Sequence, residues 1–247
     1  MFYCYGYTTE GRAAHNEDAL LAGEALLTDG EFTAREMKPP FFAAVADGVF
    51  SEKSGELAST RCLEMLRDVK FQTKRRLENE IMRIHGELAD YNEREEVNMQ
   101  TTLCALAVDA NENIFIVNVG DSRLYRYRYS SLRQLTRDQS LVQILFESGQ
   151  ITAYEKNIHT HKNIILPAMG NKKRTPEPQV DFLGGDIRTG DLFLLCTDGL
   201  TDSLTKTDIE DILDRPKSLE ARIKELADSA LDAGSKDNIT VVGLIFS

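Results

Sequence analysis

Several segments of the chain carry apolar residues on consecutive positions. Such runs are typical of strands that are buried on both faces, rather than of a sheet with one face open to water. The pattern predicts strands over Phe2–Thr8, Phe41–Ala46, Thr101–Val108, Ile114–Val119, Arg123–Tyr129, Asp191–Thr197 and Ile239–Phe246.

Other apolar residues recur with the spacing of a helix. One charged segment has an apolar stripe at intervals of 4, 3, 4 and 3, formed by Leu77, Ile81, Ile84, Leu88 and Tyr91. A second stripe has intervals of 4, 3 and 4 and is formed by Leu219, Ile223, Leu226 and Ala230. Further helical segments are predicted over Glu52–Val69, Leu141–Glu147 and Asp208–Leu213.

The strands cluster along the chain and are joined by short turns such as Ala110–Asn113, while the long helices come in pairs. This order favours antiparallel sheets covered by helices over a regular alternation of strand and helix. No linker or repeat interrupts the sequence. We therefore expect one α+β domain over residues 1–247, a β-sandwich with helices outside each sheet.

Composition limits the classes of protein that fit. With 42% hydrophobic residues the chain has enough apolar material for a core, and a net charge of −11 argues against a protein that binds nucleic acid through its backbone. The first residues carry neither a secretory leader nor a membrane span, so we expect a cytoplasmic protein that does not engage membranes. The four cysteines, separated by 58, 42 and 92 positions, are expected to be free buried thiols.

Four aspartates stand where predicted core strands end. Asp47 follows FFAAVA, Asp121 follows IFIVNVG, Asp198 follows LFLLCT, and Asp237 precedes ITVVGLIF. Like charges gathered in one cleft would take up protons unless cations neutralised them, and an all-oxygen ligand set suits Mg²⁺ or Mn²⁺ better than zinc. Singly, Asp47-Gly48 and Asp198-Gly199 are more typical of ordinary turns.

Seven short motifs in one order change that balance. They are Arg12-Ala13-Ala14-His15-Asn16-Glu17-Asp18, Val45-Ala46-Asp47-Gly48, Thr101-Thr102, Val119-Gly120-Asp121-Ser122-Arg123, Leu135-Thr136-Arg137-Asp138, Leu195-Cys196-Thr197-Asp198-Gly199-Leu200-Thr201-Asp202 and Asp237-Asn238-Ile239-Thr240. In this order the chain resembles the metal-dependent protein serine/threonine phosphatases of the PPM type, also called type 2C. The resemblance spans about Gly6 to Leu244 and implies a four-layer α-β-β-α sandwich, with pairs of antiparallel helices flanking two antiparallel sheets.

The resemblance also implies a centre of two divalent cations, Mn²⁺ or Mg²⁺. Asp47 would bridge both ions and the Gly48 carbonyl would complete the shell of the second. Asp198 and Asp237 would hold the first ion, and Glu17 would reach the second directly or through water. Hydrolysis would proceed by direct attack of a metal-bridging water on phosphorus, without a phosphoenzyme.

Further roles follow from the same resemblance. Asp18 would act from the outer shell of the second ion, and Asp121, together with Asp198, could hold a third ion. Arg12 would bind the phosphate, a task that suits its planar fork. Asn238 would orient Asp237 or a metal-bound water, and Thr102 would support the site from a neighbouring strand.

The sequence departs from the family pattern in places. Val49-Phe50 replaces the usual residues after Asp-Gly, so no histidine stands there to protonate the leaving group, which leaves water as the donor. Gln139 replaces a usual histidine. Residues 139–170, the flap segment, keep His159 and Asn163 but lack the usual Pro, Thr and Arg, which affects substrate choice more than catalysis.

The four histidines are expected to have no part in the chemistry. We expect His15 to pack beside the site and His85 to be structural. His159 and His161 could form a metal pair, but an exposed position on the flap segment is the simpler expectation.

The partners expected are phosphorylated proteins, the substrates of a serine/threonine kinase, and the chain itself is expected to be a monomer. Two other functions stay open from the sequence. One is a non-catalytic signalling domain that keeps the fold and binds metal. The other is a phosphatase that acts on a small phospho-metabolite.

Overall fold

The computed structural model describes residues 1–49, 54–184 and 186–247, and within these ranges the chain forms thirteen strands and seven helices. The strands are β1 (Phe2–Thr9), β2 (Asp18–Ala22), β3 (Ala25–Leu27), β4 (Gly30–Met37), β5 (Phe41–Val49), β6 (Gln100–Thr101), β7 (Leu103–Val108), β8 (Ile114–Val119), β9 (Arg123–Arg128), β10 (Ser131–Gln134), β11 (Gln179–Phe182), β12 (Leu192–Cys196) and β13 (Ile239–Phe246). The helices are α1 (Ser54–Arg67), α2 (Lys74–Arg94), α3 (Leu141–Glu147), α4 (Ala153–Ile158), α5 (Asp198–Thr201), α6 (Lys206–Leu213) and α7 (Leu219–Asp232).

The strands form two antiparallel sheets. The first sheet has the order β10-β9-β12-β13-β1-β4. The second has the order β11-β8-β7-β5-β2-β3, and β6 pairs with β5. This confirms the predicted α+β class with two antiparallel sheets.

Three buried apolar layers separate the four layers of secondary structure. Along β5, Val45 faces the space between the two sheets, whereas Ala44 packs toward α1 and α2. Along β13, Val242 lies between the sheets and Val241 packs toward α6 and α7. The strands are apolar on consecutive positions because both of their faces are buried.

The predicted helices are confirmed with small changes in their ends. The first stripe lies on α2, and four of its five residues are fully buried there while Tyr91 packs at the margin. The second stripe lies on α7, and the shorter predictions correspond to α3 and α6. The helix predicted over Glu52–Val69 is described from Ser54 to Arg67, and its first two predicted residues lie outside the described residues.

Three differences in the strands bear on the site. The sequence pattern does not predict β2, because its short Ala- and Leu-rich sequence favours a helix, and pairing with β5 makes it a strand. The strand predicted over Thr101–Val108 is divided into β6 and β7 on either side of Thr102. Strand β5 also continues through Asp47 to Val49, so this aspartate lies inside the strand rather than after it.

Among the described residues, no helix is both long and apolar enough to cross a membrane.

Candidate active site

The second sheet brings two of the acidic residues together. Asp18, the first residue of β2, is the direct cross-strand partner of Asp47 in β5. Asp18 is 1% exposed. Glu17 precedes it, and the backbone N–H of Gly48 donates to the Glu17 carbonyl at 3.2 Å. The pairing of β2 with β5 therefore places the first two acidic motifs side by side.

The first sheet supplies two more aspartates at the ends of neighbouring strands. Asp198 follows β12 and begins α5, and Asp237 stands two residues before β13. The two strands are paired, and the N–H of Thr197 donates to the Thr240 carbonyl at 3.1 Å. The backbone N–H of Asn238 donates to the Asp237 carboxylate at 2.9 Å. This end of the sheet thus presents both carboxylates in one region.

A hydroxyl group connects the two sheets at this point. Thr197 Oγ1 donates to Asp18 Oδ2 at 2.8 Å and accepts from the N–H of Thr240 at 3.1 Å. Thr197 is buried. It was not among the predicted site residues, although it immediately precedes Asp198 in its motif.

The mutual effects of the carboxylates on their pKa values indicate that they share one region. Burial raises the pKa of Asp47 well above its usual range, and the charges of Asp198, Asp18, Asp237 and Asp121 add to the increase. Burial likewise raises the pKa of Asp198 to about 7. It raises that of Asp18 to about 8, against hydrogen bonds from threonine that lower it.

The site also contains buried carboxylate oxygens without hydrogen-bond partners. Among the described residues these include Glu17 Oε1, Asp121 Oδ1 and Asp198 Oδ1. Buried carboxylate oxygens are normally satisfied by a donor or a cation, and an all-oxygen set is the kind that Mg²⁺ or Mn²⁺ prefers. The residues therefore fit such ions. As they stand, however, no three acidic, histidine or cysteine side chains in the described ranges form a group that could hold a metal ion.

Thr102 lies at the break between β6 and β7 and hydrogen-bonds to the backbone of Asp47. Its Oγ1 accepts from the Asp47 N–H at 2.9 Å, and its own N–H donates to the Asp47 carbonyl at 2.8 Å. The Thr102 hydroxyl also lies 2.7 Å from that of Ser122, the neighbour of Asp121. Thr102 therefore fixes the backbone of one acidic residue and contacts the turn that carries another.

The Asn238 side chain hydrogen-bonds to the loop between β1 and β2, and its role toward Asp237 or a metal-bound water stays a prediction. Its Nδ2 donates to the carbonyls of Glu10 and His15, at 3.1 and 2.8 Å, and its Oδ1 accepts from the Glu17 N–H at 2.8 Å. The Asn238 side chain thus closes the loop between β1 and β2, which carries Arg12. Only its backbone contacts Asp237.

Arg12 lies on the surface. It is exposed, and its Nη2 donates to the Leu231 carbonyl near the end of α7, at 2.8 Å. The role of Arg12 as the phosphate ligand stays a prediction.

Two glycines allow the backbone to approach closely at the site. A Cβ at Gly48 would lie 2.3 Å from the backbone of Gly55 in α1, and one at Gly199 would lie 1.9 Å from the Asn238 carbonyl. Gly55 in turn packs against the Glu17 carboxyl group. Larger side chains at these positions would displace the segments that carry the acids.

The histidines and cysteines lie where they were expected. His85 is buried and accepts from the Gly170 N–H at 3.1 Å, and burial lowers its pKa. His15, His159 and His161 are exposed or partly exposed. The four cysteines are free and buried. Phe50, one of the two residues that depart from the family pattern after Asp47-Gly48, lies outside the described residues.

A cavity of about 820 Å³ opens beside Asp121 and Asp198. One wall of the cavity is formed by residues of β9, β10 and the connection from α5 to α6. The flap segment contributes Lys156, Lys162 and Asn163 to the lining. Gln139, at the start of the flap segment, fixes the turn before Asp121, since its Oε1 accepts from the Gly120 N–H at 3.0 Å.

Comparison with known proteins identifies this arrangement. Residues 13–233 match the family model described as Protein phosphatase 2C. The chain belongs to the protein phosphatase 2C family. It is 33% identical over 246 residues to serine/threonine phosphatase stp of Listeria welshimeri, an alignment that covers 95% of this chain and 92% of that protein.

Solved structures agree with this membership of the protein phosphatase 2C family. The serine/threonine phosphatase of S. agalactiae has a TM-score of 0.84 and 26% identity, with 100% of both chains covered. The catalytic domain of the phosphatase PstP, solved in complex with 2 manganese ions, has a TM-score of 0.79 and 29% identity, with 99% of both chains covered. The predicted family, fold and enzyme class, a serine/threonine phosphatase, are confirmed.

Proposed function

We propose that this protein phosphatase 2C member hydrolyses phosphoserine and phosphothreonine on proteins and depends on divalent cations to do so. The observation that carries the proposal is the group of carboxylates from both sheets, most of them buried or partly buried, which raise one another's pKa and include buried oxygens without a hydrogen-bond partner. Within the described residues no lysine or arginine forms an ion pair with Asp18, Asp47, Asp121, Asp198 or Asp237. Positive charge from bound ions would compensate this group.

The residues that would hold the ions come from both sheets. Asp47 would contact two ions of Mn²⁺ or Mg²⁺, with the Gly48 carbonyl and Glu17 on one side and Asp198 and Asp237 on the other. The two manganese ions in the PstP structure support this number. When bound, such a pair of hard cations lowers the pKa of a water, so that the water can lose a proton and attack phosphorus directly.

Two more carboxylates extend the proposed centre. Asp18 is held by Thr197 and lies beside Asp47, so it would act on the ions from behind their direct ligands. Asp121 lies close enough to Asp198 for the charge of Asp198 to raise its pKa, and the two would provide a third and weaker site.

The chain's own residues would position the phosphate and the acids. Arg12 would have to leave the Leu231 carbonyl to reach a phosphate, which its exposed position permits. Asn238 holds the loop that carries Arg12 and Glu17, so it sets where both can reach. Val49 follows Gly48 in place of a protonating side chain, so water would donate the proton to the leaving alcohol.

The proposed partners are phosphorylated proteins, the substrates of a serine/threonine kinase, with the enzyme acting as a monomer in the cytoplasm. The names of the relatives support the substrate class.

The test is hydrolysis of p-nitrophenyl phosphate and of a phosphothreonine peptide, titrated with Mn²⁺. Wild type should be active, and Asp198→Asn should be slower by on the order of 10³-fold, because it weakens a proposed ligand of the first ion. Asp228→Asn is the matched control, since Asp228 is exposed on α7.

Two results would contradict the proposal. If Mn²⁺ produced no activity above that of Asp198→Asn, the metal-dependent chemistry would be refuted. If only small phospho-metabolites were hydrolysed, the metal chemistry would stand and the protein substrate would not. Tight binding of a phosphopeptide without turnover would favour the non-catalytic alternative.

A further inference from the structure

Two lysines of the flap segment point their charge at the cavity beside Asp121 and Asp198. Lys156 in α4 and Lys162 after it both line this cavity. Each forms an ion pair with a carboxylate of the core: Lys156 Nζ lies 3.1 Å from Asp138 Oδ2, and Lys162 pairs with Asp202. The flap segment is therefore the source of positive charge on one wall of the cavity.

Asp138 does not depend on Lys156 alone for its hydrogen bonds. Asp138, with a side chain 4% exposed, accepts from Arg123 Nε and Nη2 at 2.9 and 2.7 Å and from Gln134 Nε2 at 2.6 Å. It keeps these three hydrogen bonds if Lys156 moves away. Losing one of several partners costs a buried carboxylate far less than losing its only one.

Lys156 is therefore a second positive charge beside a carboxylate that Arg123 already compensates. Arg123 and Lys156 bring two positive charges to the single negative charge of Asp138, in a protein whose net charge is −11. The other contact of the Lys156 ammonium is the neutral Gln143 side chain. The Lys156 side chain is 19% exposed, so its ammonium can reach a molecule in the cavity.

The cavity is larger than a phosphate needs. Its volume of about 820 Å³ lies toward the upper end of the range of about 300–1,000 Å³ that is typical of ligand pockets. Hydroxyl groups of Ser140, Ser203 and Thr205 line it together with the charged groups. There is room for the residues that flank a phosphorylated side chain placed at the acidic cluster.

We propose that Lys156 binds an anionic side chain next to the phosphorylated residue of the substrate, a carboxylate or a second phosphate, and so selects acidic phosphoprotein segments. The inference rests on the proposed function for the position of the phosphorylated residue. The anion would replace Asp138 as the partner of Lys156, while Arg123 and Gln134 continue to satisfy Asp138.

The experiment compares three phosphothreonine peptides that differ only at the flanking positions, which hold Gln, Glu or phosphoserine. The ratio of kcat/KM between the acidic and the neutral peptide is measured for wild type, Lys156→Gln, Lys156→Arg and Lys156→Glu. Lys70→Gln is the matched control, because Lys70 is exposed before α2, on the far side of the second sheet. Binding of the unphosphorylated Gln and Glu peptides, followed by fluorescence anisotropy, needs neither metal nor turnover.

Wild type, Lys156→Arg and Lys70→Gln should favour the Glu peptide by about three- to five-fold, the range of a partly exposed ion pair. The Lys156→Gln ratio should fall to about one, and Lys156→Glu should favour the neutral peptide. A larger preference for the phosphoserine peptide than for the Glu peptide would identify a second phosphate as the preferred anion.

The proposal would be overturned if wild type showed no preference, or if Lys156→Gln lowered kcat/KM equally for all peptides with an unchanged ratio. The second result would mean that Lys156 only fastens the flap segment to the core. A wild type that bound the Glu peptide preferentially but hydrolysed none of the peptides would refute the proposed function and leave this inference intact.

Discussion

Buried aspartates occur in this chain in two opposite environments. Asp138 and Asp191 are buried against the guanidinium groups of Arg123 and Arg128. Burial by itself would raise the pKa of Asp138, but the charge and hydrogen bonds of Arg123 outweigh it, and the pKa is lowered. The pKa of Asp191 is lowered in the same way by Arg128, against burial. These two carboxylates are compensated by the chain itself.

The aspartates of the acidic cluster have no guanidinium partner within the described residues. Asp18 and Asp121 are buried, Asp47 and Asp198 are partly exposed, and Asp237 is exposed. Burial and the neighbouring carboxylates raise the pKa of Asp47 and Asp121 well above their usual range. Asp121 is 8% exposed and Asp138 is 4% exposed, so the contrast does not come from a difference in depth. A folded protein retains uncompensated buried charge at a cost in stability, and such charge is characteristic of sites that bind an external cation. The comparison separates carboxylates that hold the fold from those proposed to hold metal.

The largest expected effect on stability comes from removing Arg123, the guanidinium partner of Asp138. Arg123→Met leaves Asp138 buried with Lys156 and Gln134 alone, and we expect the free energy of unfolding to fall by about 3 kcal/mol. Urea denaturation in the presence of EDTA measures it. Arg83→Met, which removes exposed ion pairs on α2, is the control and should cost less than about 1 kcal/mol.

The double variant Arg123→Met with Asp138→Asn sharpens this test. Removing the stranded charge should recover part of the loss, because the cost comes from an unpaired buried carboxylate. If the double variant were as unstable as the sum of both single variants, the arginine would act through packing and the proposed contrast would be lost.

The next effect is the stabilisation that a bound cation gives to the acidic cluster. At free Mn²⁺ 100 times its Kd, wild type should gain about 2.7 kcal/mol in the free energy of unfolding. Asp47→Asn should lose most of this gain, since Asp47 is the proposed bridge between the ions. Thermal unfolding with and without EDTA measures the gain.

A matched variant from the other set of aspartates completes the comparison. Asp191→Asn lowers stability overall but should keep the full Mn²⁺ gain, because Asp191 is already paired with Arg128. An equal gain in wild type and Asp47→Asn would mean that the cation binds elsewhere.

Much of the site could be predicted from the sequence because its parts are local. Asp47 lies near the end of β5, and Asp198 and Asp237 stand next to β12 and β13. All three strands have clear apolar runs, and a strand end fixes where the residues beside it lie. The order of the motifs then supplied the family, which the comparisons confirm.

The parts that could not be predicted depend on contacts between distant segments. The bond from Thr197 to Asp18 joins residues 179 positions apart, and that from Arg12 to Leu231 joins residues 219 apart. The first requires the register of β2 against β5, and β2 has no strand pattern of its own. The destination of the Asn238 side chain likewise depends on how the loop between β1 and β2 folds back over β13.

The last expected effect is a pH dependence of the metal-free protein. Burial raises the pKa of Asp18 to about 8 and that of Asp198 to about 7, so the folded state binds protons that the unfolded chain releases above about pH 4. Stability in EDTA should therefore fall as the pH rises from about 4 to 8. Urea denaturation across this range measures it.

The sign of this dependence separates the two sets of aspartates. Asp138 and Asp191 have lowered pKa values, so they lose stabilising charge only on acidification below the ordinary range of an aspartate. Asp18→Asn keeps an oxygen to accept from Thr197 and removes the charge, so it should flatten the curve in EDTA, as saturating Mn²⁺ should in wild type. A stability that rose with pH through this window would mean that the acidic cluster is compensated within the chain, and the need for an external cation would disappear with it.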